Sequence, residues 1–214
     1  MKLLAENLAL SRGGRPLLAG ISFVVGPGEA LLLLGANGVG KTTLIRAVAG
    51  LLAPAAGSIR IDGGHAERSV GEQCHYIGHL NGVKASLTVA ENAAFWARFL
   101  GRKPEGIDAA LAAFGLASLR DIPAAYLSAG QQRRLGLARV LLAHRPIWLL
   151  DEPTVALDHA AVEALTRVVL STLPPAGWSS PQPTCRSASQ RPGSLLSARP
   201  RQHERLPRTR ASRP

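Results

Sequence analysis

Gly35-Ala36-Asn37-Gly38-Val39-Gly40-Lys41-Thr42, with Thr43 next, fills every position of the pattern G-x-x-x-x-G-K-[ST]. An apolar run, Ala30-Leu31-Leu32-Leu33-Leu34, leads into it, and a helix-compatible stretch from Thr43 to Gly50 leads out. A strand, a glycine-rich turn and a helix in that order gather backbone N–H groups into an anion-sized nest at the positive end of a helix. Lys41 is expected to reach the β and γ phosphates of a triphosphate. The Thr42 hydroxyl suits one coordination position on Mg²⁺, a hard cation that prefers oxygen. Taken alone, the glycines would also fit a strand-to-helix turn that binds nothing; the lysine, the hydroxyl and the flanking elements together favour a phosphate loop.

The length of 214 residues suits one α/β domain. The longest purely apolar run is six residues, Ala109 to Phe114, far short of the ~20 that cross a bilayer, and no signal-like segment opens the chain. We therefore expect a soluble, unsecreted protein. Cys74 and Cys185 form neither a metal-binding spacing nor a disulfide framework, which fits a reducing cytoplasm. The net charge of +11 is unevenly placed: from Ser171 onward there are eight arginines and one acid, Glu204, a balance of +7 that leaves +4 for the first 170 residues. That body charge suits a nucleotide-binding domain that sits near anionic lipid headgroups. Without aromatic interleaving or a nucleic-acid motif, no nucleic-acid partner is expected.

Lys2 to Leu10 reads as a first strand and Ile21 to Val25 as a second, after a turn at Gly13-Gly14. Pro27-Gly28 breaks the chain before a Leu31–Leu34 strand. Leu44, Ile45, Val48 and Leu51 then recur at helical spacing until Pro54, and Gly57 to Gly63 reads as a short strand and turn. Val89, Ala93, Trp96 and Leu100 predict a helix, with Thr88 as N-cap and Glu91 as its capping-box partner. Another helix is expected from about Ile107 to Leu116. The whole is α/β, with an antiparallel β portion near the N-terminus and a helical subdomain over about 88–142. Phe95 and Trp96 are expected in the core.

Arg145 to Thr154 is an apolar strand that delivers two carboxylates at its end, Asp151 and Glu152. Asp151 is placed to hold Mg²⁺, and Glu152, facing the other way, to polarise an attacking water. Alone this would be weak; beside the phosphate loop it supplies the oriented nucleophile that phosphoryl transfer requires. Leu127-Ser128-Ala129-Gly130-Gln131-Gln132-Arg133-Arg134 opens a helix whose exposed N–H groups and serine hydroxyl make a second anion-binding surface, although a plain N-cap would show the same residues.

With these stretches the chain resembles a nucleotide-binding subunit of an ABC transporter, a P-loop NTPase fold. The resemblance rests on the Gly35–Thr42 loop, the Leu127–Gln131 signature, the Leu149–Pro153 segment and Val155-Ala156-Leu157-Asp158, and covers about residues 1–170. It implies ATP and Mg²⁺ as ligands. Gly35, Ala36, Asn37, Gly38, Val39, Gly40, Lys41, Thr42 and Thr43 would bind nucleotide, Thr42 and Asp151 the metal, and Glu152 with Lys41 would carry catalysis. It also implies a head-to-tail dimer in which Ser128, Ala129, Gly130 and Gln131 cap the nucleotide of a second copy, and an integral membrane subunit at the cytoplasmic face of the bacterial inner membrane. Ala129, the run Gln131 to Arg134, Tyr76-Ile77-Gly78-His79 and Leu87 to Asn92 are similar to the subgroup that serves cytochrome c maturation, described as haem exporters. Other cargoes, a soluble ABC protein acting on DNA or the ribosome, and a catalytically impaired ATP-binding subunit are the alternatives.

The sequence departs from that family in three places. Arg12, Gly13 and Gly14 stand where an adenine-stacking aromatic is usual, and Leu80 stands where a metal-contacting glutamine is common. After Leu173 the usual final strand and its switch histidine give way to a Pro-, Ser- and Arg-rich stretch that holds eight of the fifteen prolines. We expect an ATPase domain over 1–173 and disorder over 174–214. A natural tail that binds lipid or nucleic acid is one account. A frameshift is the sharper one, because codon degeneracy lets the DNA for Gly177 to Cys185 be read from the third base of each codon as Met-Val-Ile-Ala-Ala-Thr-His-Leu.

Overall fold

The N-terminal sheet starts from a two-residue turn. Gly13 and Gly14 take φ of 58° and 76°, the pair of positive angles that a type I′ hairpin demands. Strands β1 (Lys2–Arg12) and β2 (Arg15–Val25) therefore run antiparallel up to the Arg12–Arg15 pair, both longer than expected because the ladder continues into the turn. β3 (Ala56–Asp62) pairs antiparallel with the other edge of β1. The alternation of β1 is weak in sequence because the register shifts after Ala5. Asn7, at φ 48°, sits in that irregularity and donates its N–H to Ser22 Oγ at 2.8 Å. The slip keeps Leu3, Ala5, Leu8 and Leu10 all buried.

The computed structural model describes residues 1–172. The expectations of disorder and a shifted frame over 174–214, and Cys185 with them, lie outside those residues.

Helix α1 (Lys41–Val48) lays Leu44, Ala47 and Val48 against Leu3, Leu8, Leu18 and Phe23 of the sheet, and these form one apolar cluster. A second cluster is helical. α2 (Val89–Phe99), α3 (Ile107–Ala113), α4 (Ala129–Leu142) and α5 (His159–Thr172) contribute Val89, Leu111, Leu137 and Leu165, with Phe114 and Leu116 fully enclosed. Each such side chain contributes on the order of 1.5–3 kcal/mol by leaving water. Between the clusters, β4 (Cys74–Ile77) and β5 (Ile147–Leu150) pair in parallel, from Cys74–Ile147 to Ile77–Leu150. Ile147 and Leu149 pack toward the first cluster, Trp148 and Leu150 toward the second.

The local signals act as their chemistry requires. Thr88 accepts from the Glu91 N–H at 3.1 Å while the Glu91 carboxylate accepts from the Thr88 N–H at 2.8 Å, so both halves of the capping box at α2 are made. Three expectations are corrected and one helix is added. The Leu31–Leu34 run joins no hydrogen-bonded ladder among the described residues; it keeps a strand's alternation, Leu31 and Leu33 packing on the first cluster, while Leu32 and Leu34 stay exposed at 53% and 46%. α3 stops at Ala113 because Phe114 turns inward and Gly115, at φ 65°, reverses the chain. Phe95 is half exposed, since α2 buries Val89, Ala93 and Ala97 and turns Phe95 and Phe99 outward; Trp96 is only partly buried. α5 was not anticipated: Asp158 accepts the Ala161 N–H at 2.8 Å at its start, and Ala161, Ala164, Leu165 and Val168 form its buried face. No described helix is long and apolar enough to cross a membrane.

Candidate nucleotide-binding site

The glycine-rich loop enters α1 through Gly40, whose φ of 107° lies in the left-handed region and whose missing Cβ leaves room for the Leu17 and Leu18 side chains. The Leu44 N–H then donates to the Gly40 carbonyl at 2.9 Å and the helix is under way. Gly35 to Gly38 are exposed, and no atom stands within 4 Å of where a Cβ on Gly38 would be, so the cradle is open to an approaching ligand. The Lys41 ammonium folds across the loop, donating to the carbonyls of Gly35 and Ala36 at 2.7 and 2.9 Å. It thereby holds its charge over the cradle.

One contact joins motifs 109 residues apart. The Thr42 hydroxyl donates to Asp151 Oδ1 at 3.1 Å, and Asp151 is 3% exposed. Its N–H in turn donates to the Ile77 carbonyl at 2.9 Å, extending the β4–β5 pairing to the carboxylate itself. The strand end thus brings a hydroxyl and a carboxylate oxygen together, a donor set for a hard cation. Glu152 follows at φ 48°, its side chain exposed.

Ser128 is the N-cap of α4. Its hydroxyl accepts from the Gln131 N–H at 3.2 Å, and Gln131 Oε1 accepts from the Ser128 N–H at 2.8 Å. Among the described residues no hydrogen bond joins Ser128–Gln131 to the phosphate loop. Gly130 sits where a Cβ would come within 3.0 Å of the Ala156 carbonyl, which brings the Val155–Asp158 stretch against the start of α4.

A family profile described as ABC transporter matches residues 18–155. The chain belongs to the ABC transporter family. As an ABC protein it is an ATPase. Its curated relatives include the cytochrome c biogenesis ATP-binding export protein CcmA of Rhodopseudomonas palustris strain BisB5, 54% identical over 79% of this chain and 84% of the relative. The CcmA of Agrobacterium fabrum is 51% identical over 81% of this chain and 84% of its own. Among solved structures, an ATP-binding subunit of an ABC transporter matches with a TM-score of 0.72 and 27% identity, covering 80% of this chain and 75% of that one. A bacterial Atm1-family ABC exporter with ATP bound matches with a TM-score of 0.66 and 27% identity over 80% of this chain and 32% of that one.

Several features of this ABC domain were not read from its sequence. A cleft of about 1060 Å³ is lined by Arg46, Tyr76, Leu80, Trp96, Phe99 and Arg139 among others, and by no residue of the Gly35–Thr42 loop. The Arg139 guanidinium lies 4.2 Å from the centre of the Trp96 ring, and burial pushes its pKa down to about 10. His75, 3% exposed, meets the Ala143 carbonyl at 2.6 Å, and burial lowers its pKa to about 4. Arg133, on the buried face of α4 with Leu137 and Val140, reaches the backbone at Glu152. An arginine four and seven residues before apolar core positions was the available signal.

Proposed function

We propose that this chain is the ATP-hydrolysing subunit of a membrane transport complex of cytochrome c biogenesis that handles haem, peripheral to the cytoplasmic face of a bacterial inner membrane. The contact between Thr42 and Asp151 carries the hydrolytic part of the reading, because it assembles one donor set from two motifs distant in sequence. The names of the curated relatives support the biological setting.

In this reading the loop amides from Gly35 to Gly40, with Thr43, cradle the phosphates, and Lys41 leaves the Gly35 and Ala36 carbonyls to meet their charge. Thr42 and Asp151 would hold Mg²⁺, which when bound neutralises charge developing on the phosphate oxygens. Glu152 accepts a hydrogen bond from the attacking water and orients it for in-line displacement of the γ-phosphoryl group. Ser128, Ala129, Gly130 and Gln131 close on the ATP held by a second copy docked head to tail. Exposed Leu80, Phe95 and Phe99, at 74%, 51% and 69%, offer an apolar surface for the membrane subunit.

The test is purification of the tagged full chain from membranes, with an ATPase assay. The reading expects an integral membrane subunit to co-purify and hydrolysis to be lost in Lys41→Ala. Hydrolysis without any membrane partner would reject the transporter assignment. The assignment of 1–173 as the ATPase domain and 174–214 as the product of a shifted frame belongs to the same proposal, and an unbroken frame in independent clones of the gene would reject that part.

A further inference from the structure

Arg133 is 2% exposed, and the two terminal nitrogens of its guanidinium are spent on backbone carbonyls and one amide. Nη1 donates to the Gly78 carbonyl at 2.6 Å and to Asn81 Oδ1 at 3.3 Å. Nη2 donates to the carbonyls of Asp151 and Glu152 at 3.0 and 2.9 Å. Nε is buried with no hydrogen-bond partner. Burial lowers the guanidinium's pKa, opposed by the charges of Asp151 and Glu152. Removing such a group from water is costly, and a leucine would continue the apolar face of α4 without that cost. The arrangement therefore serves something other than packing.

We propose that Arg133 is the positioning residue for Glu152. Two of its donors grip consecutive carbonyls on either side of the Glu152 nitrogen and Cα, where the backbone adopts φ 48°, a left-handed conformation that a glutamate seldom takes unaided. Fixing that turn fixes the direction in which the carboxylate leaves the strand. The same guanidinium holds the loop after β4 through Gly78 and Asn81, and its own backbone belongs to the helix capped by Ser128, five residues earlier. A shift of α4 is thereby passed to Glu152 through one rigid planar group, without a change in Lys41 or Thr42. When Ser128 engages the nucleotide of a second copy, the chain's own water-orienting carboxylate is set at the same moment. The inference rests on the reading of Glu152 as the group that orients water.

The experiment uses the full chain and its Arg133→Gln, Arg133→Lys, Glu152→Gln and double Arg133→Gln/Glu152→Gln variants, measuring kcat, KM, the Kd for a fluorescent ATP analogue and thermal unfolding. Positioning predicts a kcat lower by roughly 10²-fold in Arg133→Gln, the scale of an ångström's misplacement of a reacting group. The analogue Kd should stay within about two-fold, because the phosphate loop is untouched. Arg133→Lys, which keeps the charge but not the fork, should recover part of the rate. The double variant should hydrolyse no more slowly than Glu152→Gln alone, since Arg133 acts through that carboxylate. If Arg133→Gln lowers the residual rate of Glu152→Gln by the same factor as it lowers the parent's, Arg133 supports the fold and not Glu152, and the proposal fails. Parental kcat in folded Arg133→Lys together with folded Arg133→Gln overturns it as well. Should Arg133→Gln not fold, Arg133→Lys and its double with Glu152→Gln carry the same comparison. Full turnover in Glu152→Gln would instead remove the underlying reading of Glu152.

Discussion

Ser128 has a structural duty and an assigned functional one, and two substitutions separate them. Ser128→Ala removes the acceptor for the Gln131 N–H, a loss of about 1 kcal/mol for an exposed N-cap. In a domain of this size that lowers Tm by about 2–4 °C. It also removes the hydroxyl proposed to meet the γ-phosphate of a second copy's ATP, and a hydrogen bond to a charged group contributes about 1.5–3 kcal/mol, or roughly a 10- to 150-fold fall in kcat/KM. Ser128→Asp separates the two effects. Aspartate caps as well as serine and favours the helix dipole by about 0.3–1 kcal/mol, so Tm should hold or rise. Its charge faces the triphosphate, so kcat/KM should fall further than in Ser128→Ala. Thermal unfolding by circular dichroism and ATPase assays over a range of ATP concentrations read the two axes independently. An aspartate variant with parental kcat/KM would refute the nucleotide contact, and an alanine variant with parental Tm would refute the cap.

Gly40→Ala places a Cβ 3.1 Å from the Leu18 side chain at a φ of 107°, and should cost about 1–3 kcal/mol of strain and weaken nucleotide binding, which urea titration and binding of a fluorescent ATP analogue will check. His75 is held neutral by burial, its pKa lowered to about 4 from 6.5. The unfolded chain therefore binds the extra proton first, and stability present above pH 6.5 is lost as pH falls toward 4, by about 3 kcal/mol. His75→Gln should abolish that component of the acid slope in urea titrations; an unchanged slope would assign it elsewhere.

How much could be read beforehand depended on whether a feature is local. The phosphate loop is eight consecutive residues and the Thr88–Glu91 capping box is spelled by residues three apart, so both are legible in the sequence; at Ser128 the N-cap is legible, whereas its reciprocal bond with Gln131 is seen only in the structure. The Leu31–Leu34 run shows the limit. Four leucines in a row specify extended backbone, but whether a strand joins a ladder depends on its neighbours, and β5 finds its parallel partner in β4. Residues 73 apart decide that pairing, which no window of sequence contains. Arg133 was similarly visible only as part of a signature. Its burial follows from the convergence of the loop after β4 with the end of β5, and nothing within α4 itself reveals that two sets of carbonyls await it.

β5 is four residues long, yet its alternate side chains belong to different halves of the molecule. Leu149 leans on the core beneath the N-terminal sheet and Leu150 on the helical core, so the ribbon bearing Asp151 acts as a party wall. Local melting on either side withdraws support from the same carboxylate. A fluorophore reporting on the β1–β3 sheet and one reporting on α2 should then lose signal together, and a cavity cut at Leu149 should be felt by the distant helices. The domain's cooperativity and its capacity to bind a nucleotide have a common origin in that short strand.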